Sequence, residues 1–191
     1  MPSTKKNNSK LTFKLKVRRL ENCDQNDDVL DMFAGDGFIY RGCWNRTGRG
    51  ATMDVEYLPA ETAARERHGW SVVKVDAERA LRSGIWRERV FSIVDIDCYG
   101  SPWRYLIALA SATRTWPDQW VIVLTDGYMV HRNIAHEDKS LGWRKPGSTA
   151  DYLTAVDKLV STLFPRWNVV RKLYRDGNLV CHLMTLTRTA G

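Results

Sequence analysis

The sequence predicts an α/β fold in which a doubly wound, mainly parallel sheet packs between helices. Short apolar segments typical of buried strands alternate along the chain with segments of helical periodicity. A tight Gly35-Asp36-Gly37 turn follows the first of these strands. Near the end of the chain, Asp176-Gly177 is a turn signal between two strand-like segments and predicts a C-terminal β-hairpin. The 191 residues fit one main domain, which we place at 20–191.

The first predicted strand ends at Asp31, just before the glycine turn, and the carboxyl end of this strand is a candidate ligand site. Glycine at positions 35 and 37 allows a sharp bend and lets a ligand approach the backbone without a Cβ in the way. The helix predicted after Gly37 would direct N–H groups toward an anionic or polar ligand. An ordinary turn without a ligand explains a lone Gly-x-Gly pattern equally well.

Two further predicted strands each lead to an acidic residue. The strand at 51–56 contains Asp54, 23 positions after Asp31, and the strand at 70–76 ends in Asp76, with a predicted helix at 59–68 between them. An acid about 20 residues beyond a glycine turn is typical of the ribose contact in adenosine-type cofactors. The turn lacks the full dinucleotide spacing, which disfavours a nicotinamide or flavin cofactor.

This layout resembles the class I S-adenosylmethionine-dependent methyltransferases. The resemblance implies S-adenosylmethionine as cofactor, with its amino-acid end at the glycine turn, its ribose at the second-strand acid and its adenine near the third-strand acid. The implied cofactor-binding residues are Asp31, Phe33, Gly35, Gly37, Asp54, Val55, Asp76 and Ala77. Glu56 is a weaker candidate for the ribose contact. The expected strand order is that of the fold, 3-2-1-4-5-7-6, with the C-terminal hairpin supplying the antiparallel strand.

The fourth predicted strand carries the most specific motif. Residues 90–97 form an apolar run that ends in Asp97, as expected of a strand buried on both faces. The block Asp-Ile-Asp-Cys-Tyr-Gly-Ser-Pro at 95–102 resembles the Asp-Pro-Phe/Tyr-Gly-Ser-Pro signature of the tRNA guanine N2-dimethyltransferase family, and the resemblance covers roughly 29–130. The Thr-Asp pair at 125–126 is similar to the element that follows in that family. Cys98 replaces a proline of the signature, and we expect no counterpart of that family's additional C-terminal domain.

Asp97 and Tyr99 are the candidate catalytic residues. Methyl transfer to an exocyclic amine is an in-line displacement, for which an enzyme aligns the amine and excludes water. A carboxylate that accepts the amine N–H offsets the positive charge developing on nitrogen, and an aromatic ring can stack on the base. The structural alternative is that Asp97 caps the following helix and Tyr99 packs on the sheet.

Substrate contacts are predicted at this edge and in a long segment after the fifth strand. Residues 127–147 lack a regular pattern, and loops of this length are usually functional, so we interpret them as a lid or recognition loop. The predicted substrate-binding residues are Lys14, Lys16, Arg18, Ser101, Trp103, Tyr128 and Trp143. No metal is expected, because the histidines and acids of the loop match no ligand spacing. A thiolate role for Cys98, as in cytosine C5-methyltransferases, is disfavoured because Cys98 follows Asp97 and not a proline pair.

The excess positive charge lies in the first 19 residues. They hold seven of the 29 basic residues and no acid, which leaves 22 basic against 22 acidic residues in the remainder. Apolar residues at 11, 13, 15 and 17 alternate with polar ones and predict a half-exposed strand with a basic face. We interpret 1–19 as a basic arm that contacts phosphates, the alternative being a solubilising tail or a charged edge strand.

The sequence thus predicts a cytoplasmic S-adenosylmethionine-dependent N-methyltransferase acting on an exocyclic amine of a nucleic-acid base, with guanine in RNA preferred. Four cysteines without disulfide or metal spacing fit a reducing compartment, and no signal peptide or membrane-spanning run is expected. Two alternatives stay open. One is methylation of DNA or protein, and the other is a degenerate methyltransferase fold that binds nucleic acid. A partner subunit or a homodimer is also left open.

Overall fold

The computed structural model describes residues 10–21, 23–54, 69–98, 101–112, 115–127, 149–177 and 179–190. Several predictions fall outside the described residues. These are the helix at 59–68, the candidate site residues Val55, Tyr99, Tyr128 and Trp143, and nearly all of the loop at 127–147.

Seven strands form one sheet in the order β3-β2-β1-β4-β5-β7-β6. Their bounds are β1 Asp28–Asp31, β2 Arg49–Met53, β3 Trp70–Val73, β4 Ile93–Ile96, β5 Gln119–Asp126, β6 Trp167–Asp176 and β7 Leu179–Arg188. The first five strands are parallel, and β7 lies antiparallel between β5 and β6. The predicted order and the C-terminal hairpin are therefore confirmed.

The described helices lie before or between these strands. They are α1 Leu11–Arg18, α2 Phe38–Gly42, α3 Ala77–Arg82, α4 Trp103–Ser111 and α5 Thr149–Leu163, with a 3-10 turn at Trp44–Arg46. Helix α3 begins where the Asp76 carboxylate accepts the Arg79 N–H at 2.9 Å. Within the described ranges, no helix is both long enough and apolar enough to cross a membrane.

The segment predicted as a basic strand is helix α1, so that prediction is wrong. Alternating apolar residues at 11, 13, 15 and 17 fit a strand, but a helix places residues four apart on one side. Lys10, Lys14 and Arg18 form such a stripe, and each reaches a carboxylate. The partners, in the same order, are Asp176, Asp97 and Asp95. Ion pairing along one side of the helix therefore accounts for the spacing better than strand alternation does.

Apolar side chains cover both faces of the sheet. On one face, Leu30 and Val94 of the strands belong to a buried cluster with Leu106 of α4 and Val156 of α5. On the other face, alternate strand residues such as Val29 and Ile93 pack with the residues of α1, α2 and the 3-10 turn, including Val17, Tyr40 and Trp44. Because β1, β2 and β4 are parallel, their carboxyl ends meet at one edge of this sandwich.

Candidate active site

The glycine turn after β1 lies against the acid that follows β2. Gly35 and Gly37 have φ angles of +47° and +74°, which L-residues with a side chain rarely adopt. The Gly35 N–H donates to the Asp54 carboxylate at 2.9 Å, and the Asp31 carboxylate accepts the Phe33 N–H at 3.2 Å. Among the described residues, and leaving aside its two neighbours in the chain, no atom lies within 4 Å of the position that a Cβ on Gly35 would take. The turn is therefore open beside a half-buried carboxylate, a shape that fits a ligand bearing hydroxyl and amino groups.

Asp76, the acid that follows β3, has a structural role. One of its oxygens caps α3, and Ala77, the first residue of that helix, is buried. Phe33 packs its ring edge-on against Tyr105 of α4, with 4.7 Å between ring centroids. Capping by itself explains the acid at position 76, so its contact with an adenine stays a prediction.

Asp97 follows β4 directly and faces α1. The Lys14 ammonium lies 2.8 Å from one Asp97 carboxylate oxygen and donates to the other at 3.1 Å. The guanidinium of Arg18 lies 3.9 Å from the same carboxylate. Burial alone would raise the pKa of Asp97, but the cations of Arg18 and Lys14 outweigh it and hold that pKa below its ordinary value. Asp97 is therefore a carboxylate at neutral pH.

Arg18 is fully buried and binds Asp95 with two nitrogens. Its Nε donates to one carboxylate oxygen at 2.7 Å, and its Nη2 donates to the other at 2.5 Å and to the Thr125 hydroxyl at 3.2 Å. Trp44 Nε1 donates to Asp95 as well, at 2.7 Å. Asp95 thus has a structural role at the carboxyl end of β4. Arg18, with no exposed surface, cannot contact a phosphate, and that prediction is wrong.

The other predicted substrate residues divide by exposure. Lys16 is exposed and can reach a ligand in solvent, whereas Lys14 is largely covered and paired with Asp97. Ser101 is half-buried just before α4. Trp103 is 1% exposed and packs edge-on against the rings of Tyr152 and His182. The prediction that Trp103 binds the substrate is therefore wrong, because neither ring face is accessible.

Cys98 is a poor nucleophile. Burial is the main cause that raises the pKa of its thiol to about 12, and the negative charges of Asp97 and Asp126 add to it. A thiol with such a pKa is protonated at neutral pH, so thiolate attack is disfavoured here. Among the described residues, no group of three or more histidines, cysteines or acids could hold a metal ion.

The alternation of apolar and polar residues did not predict which cations of α1 lie at the site. The available signal was the spacing of Lys10, Lys14 and Arg18, which recur every fourth residue as on one face of a helix. The eight residues of α1 satisfy the strand pattern and the helix pattern equally well. The ion-pair partners of these cations therefore decide between a strand and a helix. Those partners are 77 to 166 positions away in sequence.

No family model and no curated protein matches the chain. Solved structures do resemble it. The Escherichia coli protein yhhF, which carries a methyltransferase assignment, has a TM-score of 0.61 and 13% identity over 95% of this chain and 86% of its own. TYW2 from M. jannaschii, solved in complex with AdoMet, has a TM-score of 0.57 and 13% identity over 95% of this chain and 77% of its own.

A third structure is a SAM-dependent methyltransferase from Archaeoglobus fulgidus, with a TM-score of 0.56 and 14% identity. The alignment covers 94% of this chain and 95% of that one. Identities this low carry information about the backbone and not about the substrate. What these likenesses show is the fold: the chain has the Rossmann-like architecture of these methyltransferases, with strand order 3-2-1-4-5-7-6.

Proposed function

We propose that this protein is an S-adenosylmethionine-dependent N-methyltransferase that acts on an exocyclic amine of a nucleic-acid base, with guanine in RNA as the preferred substrate. The observation that carries the proposal is the ionised Asp97 carboxylate at the end of β4. It lies at the sheet edge that also holds the Gly35–Asp54 contact. Ligands of open α/β sheets bind outside the carboxyl ends of the strands, where these groups lie.

The residues of the glycine turn and the acid after β2 fit the cofactor. The backbone at Gly35 and Gly37 would receive its amino-acid end, with Asp31 and Phe33 shaping the turn. Asp54, with Val55 beside it, would accept the ribose hydroxyls in place of the Gly35 N–H that it now binds. Asp76 and Ala77 would border the adenine. The fold of TYW2, solved in complex with AdoMet, supports this assignment.

When bound, the cofactor supplies a methyl group already activated by its sulfonium. The chain has to align the acceptor amine and exclude water from it. The Asp97 carboxylate would accept an N–H of the amine, which raises the electron density on nitrogen and offsets the charge that develops there. Tyr99 would stack on the base and fix its plane. No acid–base step by Cys98 is needed, in keeping with its raised pKa.

The choice of an amine on a base rests on the resemblance of 95–102 to the guanine N2-dimethyltransferase signature and on the basic N-terminal residues. Lys16 on α1 and Arg19 just after it are exposed and would contact phosphates, with binding that weakens as salt rises. Ser101, Tyr128 and Trp143 would complete the substrate contacts. A partner subunit or a second copy of the chain would extend this surface.

The test is methyl transfer from labelled S-adenosylmethionine to total RNA, genomic DNA and bulk protein in parallel, with the modified nucleosides identified after digestion. We expect label on an RNA guanine amine. Asp97→Asn keeps the shape of the side chain but removes its charge, and we expect it to lower the rate by about 100-fold or more. Asp118→Asn, at an exposed acid paired with Arg188, is the matched control and should retain the wild-type rate.

Three outcomes would change the proposal. Label on DNA or protein would keep the methyltransferase and reject the substrate. Loss of transfer in Cys98→Ala, with cytosine as the labelled base, would favour thiolate chemistry instead. Failure to bind S-adenosylmethionine, measured by calorimetry, would favour a degenerate fold that binds nucleic acid.

A further inference from the structure

The Lys14 ammonium occupies the surface of Asp97 that an acceptor amine would use. It lies 2.8 Å from one carboxylate oxygen and 3.1 Å from the other, the distances of a direct N–H···O contact. An exocyclic amine presents the same chemistry, a nitrogen that donates hydrogen to a carboxylate. The primary amine of Lys14 therefore stands in for the substrate amine of the proposed function.

The two cations of α1 near Asp97 are held very differently. Arg18 is fully buried, binds Asp95 with two nitrogens and donates to Thr125, so its removal would leave Asp95 uncompensated. Lys14 has 15% of its side chain exposed, and its ion pair is with Asp97. Its ammonium ends a flexible four-carbon stem, and rotation of that stem leaves the backbone of α1 in place. Lys14 can leave Asp97 and Arg18 cannot.

We propose that Lys14 is an internal competitor for the acceptor amine: it covers the acceptor position on Asp97 until an exocyclic amine displaces it. This inference rests on the proposed function of Asp97. Arg18 remains in place, and its charge favours the ionised form of the carboxylate that the incoming amine meets. A base without any N–H group cannot donate to Asp97 and leaves Lys14 in place. Lys14 thus lowers the affinity for amine-bearing bases and leaves the affinity for bases without an N–H unchanged.

The groups around Asp97 favour replacement of Lys14 by another hydrogen-bond donor over protonation of the carboxylate. The charged and titratable groups that act on it are Lys14 and Arg18 from α1, the neighbouring Cys98, and Cys181 of β7, with the Thr125 hydroxyl from β5. Of these, Lys14 is the cation whose side chain is partly exposed. Removal of Lys14 leaves Arg18, 3.9 Å away, shared between Asp95 and Asp97, and the Asp97 lone pairs become available to another donor.

The test compares nucleoside binding by the wild-type chain and by Lys14→Met, followed by NMR shifts in the presence of S-adenosylhomocysteine. Guanosine, adenosine and cytidine each carry an exocyclic amine, whereas purine riboside carries no N–H on its base. We expect Lys14→Met to bind the amine-bearing nucleosides about three- to tenfold more tightly, since they no longer compete with an ion pair. Purine riboside binding should not change. Lys14→Arg keeps a cation at Asp97 and should gain no affinity.

Lys158→Met removes an exposed lysine from α5 and is the matched control for net charge. Equal gains for purine riboside, or unchanged affinity for guanosine, adenosine and cytidine in Lys14→Met, would overturn the inference. Absence of nucleoside binding in both proteins would overturn it too, while the methyl-transfer assay would still decide the proposed function. A selective gain in Lys14→Met without any methyl transfer would uphold the role of Lys14 as amine competitor and reject the enzyme.

Discussion

At the scale of single residues, His182 on β7 is buried as a neutral ring. A guanidinium has only donors, so the Arg171 nitrogen 3.2 Å from His182 Nδ1 makes that ring nitrogen the acceptor. The ring proton then lies on Nε2, which is 3.9 Å from an Asp126 oxygen. Burial and, to a smaller extent, the charge of Arg171 together lower the pKa of His182 to about 3. The folded chain therefore keeps this imidazole neutral, with one ring proton and not two.

The folded chain should lose stability in mild acid because of His182. Below its unfolded pKa of 6.5 the ring binds a proton in the unfolded chain, but in the folded chain only near pH 3. The free energy of unfolding should fall by about 2 kcal/mol between pH 6.5 and about pH 5. His182→Gln, neutral throughout, should show a flatter curve in urea unfolding at both pH values. An equally steep curve in this variant would assign the loss to another group.

At the scale of secondary-structure elements, β2 and β3 pair closely because Gly50 has no side chain. A Cβ on Gly50 would lie 2.4 Å from the ring of Trp70, its paired residue on β3, and Trp70 is buried. A Cβ on Gly42, between α2 and α1, would come equally close to a methyl group of Leu15. The two sites differ in what must move: a rigid buried ring at one and the end of a flexible side chain at the other.

Gly50→Ala should therefore destabilise the chain more than Gly42→Ala. We expect a loss of about 1 to 3 kcal/mol for Gly50→Ala, because the Trp70 ring or the strand has to shift. Gly42→Ala lets the Leu15 side chain rotate and should cost less. Urea unfolding of both variants, followed by tryptophan fluorescence, measures the difference. Equal losses would mean that the Trp70 ring moves as freely as the Leu15 methyl groups.

At the scale of the whole molecule, α1 is part of the folded body and not a detachable basic arm. It carries cations to the hairpin, to Asp97 and to Asp95, and Val17 lies in the apolar cluster beneath it. Deletion of residues 1–19 should reduce the free energy of unfolding by at least about 3 kcal/mol, because the Asp95 carboxylate would lose its counter-ion Arg18. Lys16→Met should cause no comparable loss. Thermal unfolding of both proteins would decide, and a stable deletion variant would contradict this role of α1.

The sequence predicted the sheet well and the first helix badly, for physical reasons. Strands such as β4 and β5 are continuous apolar runs, and the glycine turn and the Asp176-Gly177 turn require particular backbone conformations, so local residues determine them. Helix α1 depends on carboxylates distant in sequence, and nothing local distinguishes it from a strand. Trp103 was misjudged for a related reason, since its burial follows from Tyr152 and His182 on other elements.

The position of β7 has a consequence for the chain as it leaves the ribosome. Strand β7 follows β6 in the chain yet is inserted between β5 and β6, so β5 keeps an unpaired edge until residues 179–188 have emerged. The middle of β5 is apolar, and its unpaired backbone could pair with a neighbouring nascent chain in the meantime. Lys10, made long before Asp176, also waits for its partner. A nascent chain that is held before β7 is made would thus expose a sheet edge prone to aggregation.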